Sequence, residues 1–186
     1  MLNDLVLKNR SYRRFDESFE ISEDIVCNLL SLARITPSAA NRQFFKFRIS
    51  TSRYECEKIF PLTAWAGYLK EAAPKKGERP SAYITIVNDN SLGKGNPIDI
   101  GIIAQTILLA AVECGLGGCM IASFKAEPLK EALSLGGCFD PVLVIALGRP
   151  VETVVIEEMK DGDIKYWRDE NQIHHVPKRS LNELII

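Results

Sequence analysis

Residues 100–112 form the longest apolar stretch of the chain, and only Gln105 and Thr106 interrupt it. The stretch is much shorter than the roughly 20 residues that a membrane-spanning helix needs. Asp99 can cap a helix that runs through it, and Gly115 is a candidate for the left-handed position that ends such a helix. A helix that is apolar on nearly every side is either central in the fold or part of a subunit interface.

Four other segments have the length and composition of strands. One alternates in hydropathy and the others are continuous apolar runs, which are typical of strands covered on both faces. A further helix is predicted between the N-cap Ser22 and a stop at Pro37. Because helices alternate with strands through one continuous core, we predict a single α+β domain over residues 1–186, with a sheet covered by helices. The predicted strands are residues 44–49, 81–87, 118–123 and 141–147.

The tail, about residues 160–186, has a different character. Residues 164–168 and 173–176 flank residues 169–172, a plausible hairpin turn, and a last short helix is expected after residue 179. His174 and His175 are adjacent, so on a strand they face opposite ways and cannot chelate one metal ion.

Composition excludes several classes of function. With 23 Lys and Arg against 24 Asp and Glu, the net charge of −1 gives no field for nucleic acid or an anionic membrane surface. The five cysteines are scattered, without a C-x-x-C pair or a histidine at metal-ligand spacing, so no metal site is expected. Free thiols and the lack of a signal peptide favour a reducing cytoplasm.

The segment Arg10-Ser11-Tyr12-Arg13-Arg14 places three guanidinium groups and a short hydroxyl donor close together. Arginine presents a rigid fork of donors that matches phosphate oxygens, so the segment can act as a phosphate clamp. The alternative is a solvated basic turn, which most charge runs are.

Two loops could approach a planar ligand. Residues 36–43 combine small residues with Ser38, Asn41 and Gln43, although the same residue types also favour an ordinary turn. The glycines at 115–118 follow a helix and precede a strand, which is the reverse of a dinucleotide-binding fingerprint. No catalytic triad, nucleophile elbow or paired carboxylates stand out, so no catalytic side chain is assigned and a bound cofactor is expected to supply the chemistry.

Four motifs occur in an order that resembles the FMN-dependent nitroreductase family. The family resemblance implies an α+β sandwich with a central, mostly antiparallel sheet flanked by helices, in an intertwined homodimer with FMN in the subunit interface. It also places the apolar helix of residues 99–114 at that interface. The motifs are Arg10-Ser11-x-Arg13-x-Phe15, Pro37-Ser38-Ala39-Ala40-Asn41-x-Gln43, Gly115-Leu116-Gly117 and Leu147-Gly148-x-Pro150.

The resemblance also implies roles for individual residues. One group would hold the FMN phosphate and ribityl chain, with a C-terminal basic pair adding charge there. A second group would reach the same flavin from the partner subunit, and a third would bring its backbone to the edge of the flavin ring. These groups are, in turn, Arg10, Ser11 and Arg13 with Lys178 or Arg179; Pro37, Ser38, Asn41 and Gln43; and Ile121, Ala122 and Ser123.

The activity that the resemblance implies is an NAD(P)H-dependent oxidoreductase. NADH or NADPH would reduce FMN by hydride transfer, and a nitroaromatic, quinone or related acceptor would then take the electrons in a ping-pong cycle. Another flavin chemistry on the same fold, such as flavin reduction or dehalogenation, and a non-catalytic flavin-binding protein are the alternatives. Trp65 or Tyr68 could form a wall for a small aromatic substrate or belong to the core.

Overall fold

The computed structural model describes residues 1–186 and contains five α-helices and seven β-strands. The helices are α1 (Leu2–Lys8), α2 (Glu23–Ala33), α3 (Arg53–Ile59), α4 (Pro97–Glu113) and α5 (Ala126–Ala132). The strands are β1 (Phe45–Ser50), β2 (Ala82–Asp89), β3 (Gly117–Ile121), β4 (Phe139–Gly148), β5 (Val154–Glu158), β6 (Trp167–Arg168) and β7 (His174–Lys178). No helix is both long and apolar enough to cross a membrane.

The main sheet has four strands in the order β1-β2-β4-β3, and every pair in it is antiparallel. The two central strands, β2 and β4, are the predicted continuous apolar runs. All eight residues of β2 are buried, because helices cover both faces of the sheet. The edge strands β1 and β3 therefore carry the only free edges of this sheet.

Side chains alternate between the two faces of β2 and build two separate cores. Ile84 and Ile86 join the core beneath α2 and α4. Tyr83 points to the other face, where it packs with residues of α3 and α5 such as Ile59 and Leu129. The α+β sandwich expected from the sequence is therefore confirmed, and its two layers of helix lie on opposite sides of one sheet.

The ends of α4 show one correct and one wrong prediction. Gly115 has φ +72°, and the N–H groups of Gly115 and Leu116 donate to the carbonyls of Val112 and Ala111, which confirms a glycine-terminated helix. The predicted cap Asp99 is wrong, because the side chain of Asn96 accepts from the N–H of Ile98 and caps the helix instead. Asp99 lies inside the first turn and is buried.

The apolar residues of α4 divide into two stripes. One stripe, which includes Ile107, is buried against the sheet within the chain itself. A second stripe at a spacing of three and four residues stays partly exposed; it consists of Ile98, Ile102, Leu109 and Val112, with the polar Gln105 among them. The intramolecular burial of Ile107 rules out placing this residue in a subunit contact, so only the second stripe is available for one.

The tail forms a second sheet, in the order β5-β7-β6. The predicted hairpin is confirmed, because β6 and β7 pair antiparallel around the turn at residues 169–172. This sheet begins at Val154, earlier than the sequence suggested, because β5 pairs with β7 in parallel. The last predicted helix is a single 3-10 turn, Leu181–Glu183.

Candidate functional site

The segment that contains Arg10, Ser11 and Arg13 runs beside the start of β3. Ser11 and Gly118 form a parallel bridge, and the N–H of Tyr12 donates to the carbonyl of Gly118 over 3.0 Å. A Cβ added to Gly117 would lie 2.5 Å from the Tyr12 ring, which is closer than real contacts allow. Gly117 is therefore needed because it lets the basic segment lie directly against the strand.

The three guanidinium groups of this segment have different surroundings. Arg14 forms an ion pair with Glu78, so its charge is already compensated. Neither Arg10 nor Arg13 has a carboxylate within 4.0 Å, and Nε of Arg10 is buried without a hydrogen-bond partner. The structure thus separates the predicted clamp into two unpaired arginines and one structural arginine.

A buried carboxylate that the sequence did not single out holds this segment in place. Oε1 of Glu152 accepts from the N–H groups of Arg13 and Arg14, the latter over 3.1 Å. Oε2 accepts from the Arg168 guanidinium over 2.8 Å and lies 3.8 Å from Nδ1 of the buried His174. Because Arg168 lies on β6 and His174 on β7, Glu152 joins the tail sheet to the basic segment.

The pKa of Glu152 reflects this position. Burial acts to raise the pKa, but His174, the N–H of Arg13 and the charge of Arg168 outweigh it and hold the pKa below the ordinary value. The carboxylate is therefore ionised at neutral pH. Two of its partners, Arg13 and Arg14, lie 139 and 138 residues away along the chain. No local sequence signal could have revealed these contacts.

The second candidate group lies in the loop before β1, which contains Pro37, Ser38, Asn41 and Gln43. Asn41 and Gln43 both have φ +52°, so the loop is sharply folded. The Ser38 hydroxyl is buried without a hydrogen-bond partner, and Ser38 and Gln43 line a cavity of about 150 Å³. An unpartnered buried hydroxyl of this kind is suited to a ligand with hydrogen-bonding groups.

Asp99 fixes this loop. Its two carboxylate oxygens both accept from the N–H of Ala39, over 3.1 and 3.2 Å. The carboxylate is almost fully buried, so α4 holds the backbone between Ser38 and Asn41 in one position. Asp99 thus has a different role from the capping role that the sequence suggested.

The third group, Ile121, Ala122 and Ser123, ends β3. Ile121 is buried and the other two residues are exposed. The Ser123 carbonyl accepts from the N–H of Ala64 over 2.9 Å, so the residues before Trp65 lie next to it. From Gly118 to Ile121 the strand extends about 10 Å. The basic segment and the predicted ring-edge residues therefore lie along one strand.

The aromatic residues proposed as a substrate wall separate in the structure. Trp65 belongs to the core beneath α3 and α5 and packs against Phe60 at 6.0 Å between ring centroids. Tyr68 is exposed and contacts Tyr166 edge-on at 5.0 Å. The Arg13 guanidinium also lies 5.0 Å from the Tyr166 ring centroid. Tyr68 is the one that remains accessible to a ligand.

The C-terminal basic pair lies at the far end of β7. Arg179 forms an exposed ion pair with Glu183, whereas Lys178 has no carboxylate within 4.0 Å. Lys178 is separated from His174, near the basic segment, by about 13 Å of strand. The chain itself does not place either residue beside Arg10 or Arg13.

The predicted residues occupy opposite edges of the main sheet. Arg10, Ser11 and Arg13 lie with residues 121–123 along β3, and residues 37–43 precede β1. Three strand spacings of about 4.8 Å separate these edges, roughly 14 Å in all. Within one chain the two groups therefore lie on opposite edges of the sheet.

The residues at the β3 edge fit a phosphate-bearing cofactor such as FMN. Two unpaired guanidiniums, one of them with a buried orphan donor, supply charge and directed hydrogen bonds for a phosphate. The exposed residues Ala122 and Ser123 continue along the same edge. No group of three or more acidic, histidine or cysteine side chains is arranged to hold a metal ion.

An all-antiparallel sheet between two layers of helix, with a basic segment along one edge, defines an α+β sandwich protein. The model of the family described as "Nitroreductase family" matches residues 6–149. The chain therefore belongs to the nitroreductase family, and the family resemblance of the sequence is confirmed.

Known proteins extend this comparison. A relative from Methanothermobacter thermautotrophicus, provisionally named NADH dehydrogenase/NAD(P)H nitroreductase, is 29% identical over 161 residues, or 83% of this chain and 80% of the relative. A nitroreductase family protein from Streptococcus pneumoniae has a TM-score of 0.72 at 15% identity, covering 100% of this chain and 99% of its own. A provisionally named nitroreductase from Exiguobacterium sibiricum, solved in complex with FMN, has a TM-score of 0.71 at 18% identity, covering 90% and 97%.

Proposed function

We propose that this protein is an FMN-dependent oxidoreductase that uses NADH or NADPH to reduce nitroaromatic, quinone or related acceptors. Family membership supports an oxidoreductase, and the name of the archaeal relative includes NAD(P)H nitroreductase. The complex of the Exiguobacterium protein with FMN supports the choice of cofactor. The unpaired Arg10 and Arg13 support a phosphate site on this chain.

We further propose that two copies of the chain share each site. The observation that carries this proposal is the separation of the candidate residues onto opposite edges of the main sheet. A homodimer in which the β3 edge of one copy faces the residue 37–43 loop of the other would bring them together. The partly exposed stripe of α4 supplies an apolar surface for such a contact.

The chain's own residues would bind and orient the cofactor. Arg10, Arg13 and the Ser11 hydroxyl would hold the phosphate, with Lys178 or Arg179 adding positive charge. Pro37, Ser38, Asn41 and Gln43 of the second copy would contact the same cofactor, whereas Ile121, Ala122 and Ser123 would offer backbone groups to the ring edge. These residues would hold FMN, which would supply the redox chemistry between NAD(P)H and the acceptor.

Two buried carboxylates would keep these contacts in position. Glu152 holds the backbone of the basic segment, and Asp99 holds the backbone of the residue 37–43 loop. Each is a positioning residue, because it binds backbone N–H groups and not the cofactor. Because the two carboxylates fix the backbone, the groups that would contact the cofactor are held in place in advance, and such preorganisation avoids the cost of rearrangement during the reaction.

The visible spectrum of the purified full chain tests the proposal. We expect a flavin absorbance band that bleaches with NADH or NADPH under anaerobic conditions and recovers when a nitroaromatic or quinone is added. A flavin band that does not respond to either nicotinamide contradicts the reductase activity and favours a flavin-binding protein. A colourless chain that cannot be reconstituted with FMN contradicts the cofactor assignment itself.

A further inference from the structure

A large cleft of the chain lies away from every residue assigned to the flavin. It has a volume of about 800 Å³ and opens where β1 ends and β2 begins, between residues 17–22, the start of α3 and residues 79–81. This volume is within the range of small-molecule sites in proteins. None of Arg10, Ser11, Arg13 or the residue 37–43 loop lines it.

Tyr83 is part of the wall of this cleft. The residue is fully buried, yet its hydroxyl has no hydrogen-bond partner in the protein. Ser50, its direct partner across the β1-β2 pair, is also fully buried with an unpartnered hydroxyl. Burying a hydroxyl without a partner costs about 1–3 kcal/mol, so such groups usually have a specific reason to persist.

Arg79 lines the same cleft, where burial raises the pKa of Tyr83 and the positive charge of Arg79 acts to lower it. It has no carboxylate within 4.0 Å, and its Nε is buried without a hydrogen-bond partner. The flat guanidinium is held 4.3 Å from the Phe60 ring centroid. The neighbouring Glu17 carboxylate is already bound by the N–H groups of Gly77 and Arg79. An unpaired arginine and an unpaired hydroxyl donor therefore line one cleft, which is a suitable arrangement for an anion.

The remaining walls of the inner cleft are apolar or uncharged. Ile21, Phe60 and Pro80 contribute hydrocarbon surface. Cys56 is also buried there, and burial raises the pKa of its thiol to about 12, so it stays neutral. The charged residues of the outer rim, Glu20, Arg53 and Glu57, are exposed, where solvent and salt screen them.

We propose that this cleft is a second ligand site, which binds a small carboxylate with an apolar body. The carboxylate would accept hydrogen bonds from the Arg79 guanidinium and the Tyr83 hydroxyl, and the body would lie against Ile21 and Phe60. The planar fork of arginine matches the two oxygens of a carboxylate, which favours this class of anion. The site is independent of the flavin function proposed above.

Isothermal titration of the FMN-saturated full chain with phenylacetate tests the site, with the neutral isostere phenylacetamide as the reference ligand. We expect one phenylacetate per chain and affinity at least about tenfold weaker for phenylacetamide, because the amide lacks the charge that Arg79 binds. Tyr83→Phe and Arg79→Met are each expected to weaken phenylacetate binding about tenfold or more. Tyr54→Phe is the matched control, because Tyr54 is exposed on α3 outside the cleft.

Tyr83→Phe removes only an oxygen that has no partner in the protein, so the variant should unfold at the same temperature as the parent or a higher one. Loss of binding by this folded variant and by Arg79→Met, with Tyr54→Phe unchanged, supports the site. Any one of three outcomes would overturn the site. Phenylacetate fails to bind the parent, or it binds Tyr83→Phe as tightly as the parent. The third outcome is a phenylacetate-induced change in the flavin absorbance that both variants retain.

Discussion

At the scale of single residues, neighbouring arginines acquire different roles through partners that are distant in sequence. Arg13 and Arg14 are adjacent, but Glu78, 64 residues further along, neutralises only Arg14. The sequence could predict a basic cluster and its use as a clamp. It could not predict which members are free, because that depends on tertiary contacts. The same holds for Asp99, whose residue type suited a cap but whose carboxylate binds Ala39.

Arg13→Ala and Arg14→Ala distinguish these roles. Arg13→Ala should weaken FMN binding by roughly 1.5–3 kcal/mol, because the variant loses a charge-assisted hydrogen bond to the phosphate. Arg14→Ala should leave FMN affinity nearly unchanged and lower the free energy of unfolding by about 1 kcal/mol or less, since its ion pair is partly exposed. Flavin fluorescence titration and urea unfolding measure the two quantities. Equal FMN affinity of Arg13→Ala and the parent would remove Arg13 from the clamp.

At the scale of elements, the sequence predicted most of the main sheet and its covering helices. Continuous apolar runs identified β2, β3 and β4, because strands covered on both faces need apolar residues throughout. It did not predict α1 or β5. The contact between the tail and the sandwich was also missed, because β5 pairs in parallel with a distant strand and Arg168 of β6 binds the buried Glu152. Such long-range polar contacts leave no periodic signal.

Glu152→Gln tests the link between the tail sheet and the basic segment. The change leaves the Arg168 guanidinium largely buried without its counter-charge, and loss of a buried ion pair costs about 3–5 kcal/mol. We expect lower stability and faster hydrogen exchange in β6 and β7 than in β2, measured by urea unfolding and by hydrogen exchange with mass spectrometry.

The same variant has a distinct dependence on pH. The pKa of Glu152 is lower in the folded chain than the value of about 4.3 in an unfolded one. Its stabilising contribution is therefore complete above pH about 4.3 and is lost as the pH falls through the lower folded value. The stability difference between parent and Glu152→Gln should shrink in acid, and a difference that is constant from pH 7 to 3 would contradict this role.

At the scale of the whole molecule, the arrangement of polar and apolar surfaces favours association. The candidate flavin residues lie on opposite edges of one sheet, and the second stripe of α4 stays partly exposed. Further exposed apolar side chains, Leu2, Val6 and Leu7, lie on α1, which packs against α4. The sequence predicted that this apolar helix would be central or at an interface, and the two stripes of α4 allow both.

Leu109→Glu and Ile107→Glu separate the two stripes. A glutamate at the partly exposed Leu109 should leave a folded chain that is monomeric and has lost FMN, because the charge would be desolvated in the proposed dimer contact. A glutamate at the fully buried Ile107 should instead prevent folding, since no partner for the charge is available in that core. Light scattering, circular dichroism and flavin absorbance are the measurements. A folded Leu109→Glu monomer that retains FMN would contradict the shared site.

The position of the two half-sites on opposite margins of the sheet has a genetic consequence in a dimer of this kind. Consider a cell that makes two defective forms of the chain, one damaged beside β3 and the other damaged in the loop before β1. When the two forms pair, one composite centre receives both lesions and the other receives none. Two inactive alleles would then complement each other. If the two forms pair at random, up to about a quarter of the centres would be intact.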